Sequence, residues 1–251
     1  MTRPPVDTRM CLPTLLSRTR AVLFDFDGPV CDLFADRSTK PVAQEIKAMA
    51  RRTWQVLDPA AEACEDSHSL LRLLGAMLER SGVGALDPET LGRADEMVTR
   101  YENDAVASAV PAPEIHTLLD TLLGLGKRLV IVTNNAADPV RNFLELHGMS
   151  HKFEEIFGRD PREPHLMKPH PSSLRSALRH LGDISPEDAV MVGDQLSDLQ
   201  AARSAGVGFL GYSKDAECAG RLRRQGAHCV VHEHRQLVDA CAFPPVNHPR
   251  P

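Results

Sequence analysis

Aromatic side chains are scarce: one tryptophan, two tyrosines and eight phenylalanines make up 4% of the 251 residues. A groove that stacks successive bases needs such rings, so the scarcity argues against single-stranded nucleic acid as a partner. Long basic runs are also missing. The densest cluster, Arg221, Arg223 and Arg224, is spaced as a solvated helix face, and the formal net charge is −5. Neither nucleic acid nor an anionic membrane surface is therefore an expected partner. No apolar run approaches the roughly 18 residues of a membrane span. Residues 10–16 are too short, and too interrupted by Pro13, to be the core of a secretion signal. The six cysteines (Cys11, Cys31, Cys64, Cys218, Cys229 and Cys241) include no CxxC pair. A chain of this length needs no disulfide staples, and scattered thiols suit a reducing cytoplasm.

What is present is the composition of a globular protein, 42% hydrophobic and 25% charged. The length suffices for one large domain, or a domain carrying an insert. Residues 1–18 show no clear period and read as a flexible N-terminal extension; residues 242–251 read as a Pro-rich tail. Between them, short apolar runs at 21–26, 128–133, 189–193, 207–212 and 228–231 alternate with helical patterns near 113–125, 138–147, 171–181, 196–205 and 215–225. Continuous apolar runs suit strands buried on both faces of a parallel sheet. Their alternation with helices predicts a doubly wound α/β domain over 19–35 and 111–241. Residues 36–110 break the pattern, with three helical stretches near 40–57, 66–81 and 88–109 and no strand. They read as an all-helical domain inserted after the first strand.

In a parallel sheet, ligands bind beyond the carboxyl ends of the strands, so the polar residues that follow each apolar run are the informative ones. The first run ends in Asp25, Phe26, Asp27 and Gly28; the second in Thr133, Asn134 and Asn135; the run at 189–193 is followed by Asp194 and Asp198; Lys168 precedes Pro169 between them. Asp25, Asp194 and a backbone carbonyl near Asp27 offer oxygen ligands to a hard cation such as Mg²⁺. The ammonium of Lys168 keeps Asp25 ionised and can hold a phosphate oxygen. Thr133 and backbone amides around Gly28 and Asn134 supply further donors. Each of these short patterns occurs by chance in other chains, where such acids cap helices and such lysines are solvated. Their joint appearance at successive strand ends points to one site.

The run FDFDGPVCD, the VTNN segment, Lys168-Pro169 and GDQLSD resemble, in order, the four motifs of the haloacid dehalogenase (HAD) superfamily. The likeness runs from about residue 20 to 240. The helical insert resembles the cap of the subfamily that includes phosphoglycolate phosphatase, β-phosphoglucomutase and haloacid dehalogenase. The resemblance implies Mg²⁺ as cofactor, Asp25 as a nucleophile that becomes phosphorylated, and Asp27 as the acid–base residue. It places Gly28, Thr133, Asn134 and Lys168 around the phosphoryl group. It places Asp25, Asp27 and Asp194 at the metal, with Asp198 in support. An acid two residues after the nucleophile is absent from dehalogenases of this type, so Asp27 implies phosphoester chemistry. One departure is Pro29, where the family usually has Thr; Asp32-Leu33 only partly matches the Asp-Ser pair common nearby.

The implied function is a phosphatase acting on a small phosphorylated metabolite, with phosphoglycolate the default. A phosphomutase and a non-enzymatic binder of a phosphorylated ligand or a protein are the alternatives. A monomer or homodimer in the cytoplasm is expected. Residues His228, Cys229 and His232 invite a zinc reading, but strand alternation sends Cys229 away from the two histidines. His165 and His170 flank Lys168, and Arg51, Arg52 and Trp54 lie in the insert; solvent exposure or packing is the expected role of all five.

Overall fold

In the computed structural model, which describes residues 8–35, 37–82 and 84–242, the apolar runs become strands because both faces are covered. The strands are β1 (Ala21–Phe24), β2 (Cys31–Asp32), β3 (Val110–Pro111), β4 (Arg128–Val132), β5 (Ile156–Phe157), β6 (Ala189–Gly193), β7 (Gly208–Tyr212) and β8 (Cys229–Val231). The helices are α1 (Thr8–Arg18), α2 (Lys40–Trp54), α3 (Pro59–Ala63), α4 (Ser67–Ser81), α5 (Pro88–Val106), α6 (Ile115–Gly124), α7 (Ala137–Leu146), α8 (Ser172–Leu181), α9 (Leu196–Ala205), α10 (Ala216–Arg224) and α11 (His234–Ala242).

Six strands form one sheet in the order β5-β4-β1-β6-β7-β8, every neighbouring pair parallel. Side-chain alternation divides β1 between two cores. Val22 and Phe24 face one, closed by α1, α6, α7 and α11. Ala21 and Leu23 face the other, closed by α8, α9 and α10. The fold is thus a doubly wound α/β sheet. The chain leaves β1 for β4 and β5 on one side and later builds β6 to β8 on the other. The carboxyl end of β1 therefore sits at the point where the winding reverses, the usual place for a ligand.

Helices α2 to α5 lie between β2 and β3 and share a third, separate core that includes Ile46, Leu70, Leu71, Leu74, Ala94 and Val98. Local signals start these helices: the Asp66 carboxylate accepts the Ser69 N–H, and Asp87 accepts the Glu89 N–H. The strands β2 and β3 pair antiparallel, with Cys31 opposite Pro111, so the chain enters and leaves the helical stretch at adjacent points.

The structure departs from the sequence expectations at both ends of the described chain and at one cysteine, as well as in adding β5. Residues 8–18 form α1 despite Pro13, and are not a flexible extension; residues 1–7 lie outside the described residues. Buried Leu12 and Leu16, one helical turn apart, dock against the sheet core and outweigh the amide that Pro13 removes. Helix α11 continues to Ala242; residues 243–251, the rest of the expected tail, also lie outside the described residues. Cys229 is disulfide-bonded, against the expectation of free thiols, whereas Cys31, Cys64, Cys218 and Cys241 are free. No helix among the described residues is long and apolar enough to cross a membrane.

Candidate active site

Residues from three adjacent strand ends meet at the switch point. Asp25 follows β1, Thr133 follows β4, and Asp194 follows β6; Lys168 arrives from the segment before α8. They line one cavity of about 480 Å³, together with Asp27, Asn134, Asn135 and Asp198. Every side-chain position expected from the sequence lies at or beside this cavity.

Lys168 is 3% exposed. Its Nζ lies 2.8 Å from Asp25 Oδ1 and 2.7 Å from Asp198 Oδ1, and donates to the Val132 carbonyl at 3.0 Å. Three acceptors thus match the three protons of one ammonium. Burial works against its charge, but the two carboxylates hold Lys168 above the usual lysine range. The side chain of Asn134 fixes the backbone around it: Nδ2 donates to the Lys168 carbonyl at 3.1 Å, and Oδ1 accepts the Lys168 N–H at 2.8 Å. The part of Asn134 that faces neighbouring chain is therefore its side chain, used as a clamp on Lys168.

One ammonium does not neutralise the acids around it. Burial, then the charge of Asp198, pushes Asp25 up to about 7, against the pull of Lys168 and the Phe26 amide. Asp194 is raised well above the ordinary range by burial and by Asp198, Asp25 and Asp27. Among the described residues, Asp25, Asp194 and Asp198 offer carboxylate oxygens within 4.8 Å of one another. Asp194 Oδ1 is buried without a hydrogen-bond partner. An orphaned acceptor among crowded carboxylates is the donor set of a hard divalent cation, so these residues fit Mg²⁺. The Asp27 side chain is not one of these three; the oxygen expected from this stretch is a backbone carbonyl. Asp27 Oδ1 accepts the Leu33 N–H at 2.8 Å, because the loop from Asp27 to Leu33 folds back on itself.

Asp198 stands between Lys168 and the start of α9. Oδ1 meets Lys168, and Oδ2 accepts the Gln195 N–H at 3.0 Å in the capping box that starts α9. Gly193 makes room for it: a Cβ there would lie 2.5 Å from Asp198 Oδ2. Gly28 plays the same part for Asp194, with φ +97° and a Cβ position 2.8 Å from Asp194 Cγ. Its amide donates to the Cys31 carbonyl at 2.7 Å. Close backbone approach, rather than a free amide, is what Gly28 brings to the site.

Asp27 is raised to about 6 by burial, with the Leu33 amide and the nearby His68 pulling it down. Beside it, the Pro29 carbonyl is held by the first residue of α11. His234 lies 2.6 Å from the Pro29 carbonyl through Nε2 and stacks on Tyr212 at 4.5 Å. A carbonyl only accepts, so Nε2 carries the proton. Burial lowers His234 to about 4, which keeps it neutral.

The roof of the cavity comes from residues the sequence reading passed over: Phe34, Thr39, Asp66, His68, Ser69 and Arg72. The usable signal was the i, i+4 pair His68 and Arg72, polar positions interleaved with the apolar face of α4. The other expectations for lone residues meet ordinary contacts. Arg51 pairs with Glu62, and Trp54 Nε1 donates to the Asp87 carbonyl at 2.9 Å. His165 lies 3.5 Å from Glu79. His232 Nδ1 lies 2.7 Å from the Ser213 carbonyl.

Carboxylates and a buried lysine gathered at the switch point of a doubly wound sheet are the arrangement of an α/β enzyme's active site. The family model for haloacid dehalogenase-like hydrolases matches residues 19–206, and the chain belongs to that family. It is 29% identical over 236 residues to a phosphoglycolate phosphatase of Rhodospirillum rubrum, covering 90% of this chain and 92% of the relative. It is 31% identical over 194 residues to the pyrophosphatase PpaX of Bacillus pumilus, covering 76% and 81%. The fold matches the crystal structure of CbbY from Rhodobacter sphaeroides in complex with phosphate, with a TM-score of 0.60, 22% identity, and coverage of 90% and 100%.

Proposed function

We propose that this hydrolase is a Mg²⁺-dependent phosphatase that cleaves a small phosphorylated metabolite through a phosphorylated Asp25. The observation that carries the reading is the setting of Asp25. It is buried at the sheet's switch point, 2.8 Å from Lys168, and a second carboxyl stands two residues on with its titration near neutral. Asp25 Oδ1 is taken by Lys168 and by the Phe26 N–H at 2.7 Å, which leaves Oδ2 for attack on phosphorus. Asp194 and Asp25 would hold Mg²⁺, whose charge offsets repulsion between a carboxylate and a phosphate dianion.

The chain's own residues perform the rest. Asp25 forms the new P–O bond as the ester P–O bond breaks. Asp27, protonated at the outset, gives its proton to the leaving oxygen. The resulting carboxylate takes a proton from water as that water attacks the phosphorylated Asp25, releasing phosphate and restoring both acids. Lys168 and Thr133 hold the phosphoryl oxygens. Residues 36–110 act as a cap that selects the leaving group, over a core of 19–35 and 111–241.

Phosphoglycolate is the first substrate to test, since it names the relative matched over most of both chains; pyrophosphate is the second, from the other relative. The free cysteines among the described residues support a cytoplasmic compartment, and the disulfide at Cys229 runs against it. The experiment is phosphate release from a panel of phosphorylated metabolites with Mg²⁺, against an Asp25→Asn control. Release well above the control supports the reading. Equal rates across the panel would overturn it.

A further inference from the structure

A buried carboxylate outside this mechanism ties the insert to the phosphoryl end of the site. Glu102 of α5 is 0% exposed. Its Oε1 meets Arg159 Nη1 at 2.5 Å, His68 Nε2 at 2.7 Å and Asn135 Nδ2 at 3.1 Å; its Oε2 accepts the Ala136 N–H at 3.2 Å. Arg159 is fixed in turn by Asp95 at 2.5 Å and Thr99 Oγ1 at 2.7 Å. Burial works to raise Glu102, but the His68 hydrogen bond and the Arg159 charge hold it below the usual carboxylate range. Glu102 is therefore an ionised group that only accepts hydrogen bonds.

That property propagates. The Asn135 side chain has one donating end and one accepting end. Facing a carboxylate, Nδ2 must turn to Glu102, so Oδ1 must turn to Thr133. Oδ1 only accepts, so the Thr133 hydroxyl donates to it, at 2.8 Å, while Thr133 Oγ1 accepts the Asn135 N–H at 3.1 Å. Thr133 is 2% exposed and lies on the cavity wall. Its oxygen is thus held in one place, and its proton has only to turn from Asn135 to an arriving anion.

We infer that Glu102 is a positioning residue: acting through Asn135, this insert carboxylate fixes the Thr133 hydroxyl for the phosphoryl group. The inference rests on the reading of Thr133 as a phosphate contact. His68, on the cavity roof, hangs from the same carboxylate. One group therefore sets both the phosphoryl side of the cavity and part of its roof, so the insert has to be docked for the phosphate cradle to be complete.

The test is a double-mutant cycle read on inorganic phosphate binding by calorimetry in Mg²⁺, which needs no knowledge of the substrate. Thr133→Val is expected to weaken phosphate about 10-fold, and Glu102→Gln about 5-fold. The double variant is expected to bind no worse than Thr133→Val alone, because Glu102 reaches the phosphate only through that hydroxyl, and its hold on His68 concerns the roof. Asn135→Ala, which leaves the Glu102 contacts to Arg159 and His68 in place, should match Glu102→Gln and replaces it in the cycle should that variant not fold. A merely structural role gives additive losses. Additive losses, an unchanged Kd in the Glu102 or Asn135 variant, or no phosphate binding by the wild type would overturn the inference. Turnover of p-nitrophenyl phosphate, measured in parallel, tests the phosphatase reading separately, and it can fail while the binding cycle holds.

Discussion

Two buried cations in this molecule each face two carboxylates, and they do opposite things. Lys168 stands between Asp25 and Asp198 at the sheet edge; Arg159 stands between Asp95 and Glu102 where the insert meets the core. Around Arg159 the acid settles: Glu102 lies below the ordinary carboxylate range. Around Lys168 it does not: Asp25 rises to about 7 and Asp194 lies well above its usual range. The difference lies in the count of donors. Arg159 spreads several N–H groups over its partners, and Glu102 also receives His68, Asn135 and the Ala136 amide. Lys168 has three protons, one of them spent on a carbonyl, for a crowd of acids that includes the unpartnered oxygen of Asp194. A fully satisfied cluster holds parts together; an unsatisfied one waits for ligands with positive charge or with protons to receive.

The largest expected effect breaks the satisfied cluster. Arg159→Met strands Asp95 and Glu102 where the insert meets the core, and urea unfolding should show a loss of about 3–5 kcal/mol. Should the loss be only a few tenths, the cluster is not what joins insert to core. The next strikes the unsatisfied one. Lys168→Met should lower kcat by about 10²- to 10³-fold, read as phosphate release with Mg²⁺ present. A matching loss of activity in Arg159→Met at a temperature where it stays folded would erase the contrast between the two sites.

A third buried polar group sharpens the comparison because it is neutral. His234 titrates near 4 when folded and near 6.5 when free. Between those values the unfolded chain binds the extra proton, so stability rises with pH through the window. The His234 contribution is fully present above pH 6.5 and is lost as pH falls towards 4, on the order of 3 kcal/mol in all. Denaturant unfolding at several pH values should show this slope in the wild type and a flatter one in His234→Phe. The smallest effect is a gain. The raised Asp194 group destabilises the metal-free fold when ionised, because its folded pKa lies above the unfolded one. Asp194→Asn should therefore raise the melting temperature by a few degrees in chelator while weakening the stabilisation that added Mg²⁺ brings. A fall in chelator would mean that the acids are not crowded.

The sheet and the residues at its edge were legible in the sequence because burial on both faces leaves unbroken apolar runs, and polar residues at their ends then stand out. Helices with a wide apolar face, such as α4, were legible for the same reason. What escaped has a common cause in distance along the chain. Helix α1 carries Pro13 and is held by leucines docked on a core assembled elsewhere. Strand β5 is only Ile156–Phe157 and follows two glutamates; pairing with β4 makes it a strand. Glu102 and Arg159 belong to no motif, Asn135 is the last residue of VTNN, and nothing local marks the three as partners. Their meeting is 57 residues apart for Glu102 with Arg159 and 33 for Glu102 with Asn135. Pro29 was visible as a departure, but its brace was not, since His234 lies 205 residues away.

The short hairpin of β2 with β3 has a consequence for how such a molecule can change over generations. Because the chain departs and returns at facing positions, Cys31 opposite Pro111, the stretch between them can lengthen, shorten or be replaced without altering the register of the six-stranded sheet. The hairpin works as a socket for exchangeable parts. What a replacement has to bring with it is set on the other side of the joint: acids in the places of Asp95 and Glu102, ready to receive a guanidinium that stays behind in the core.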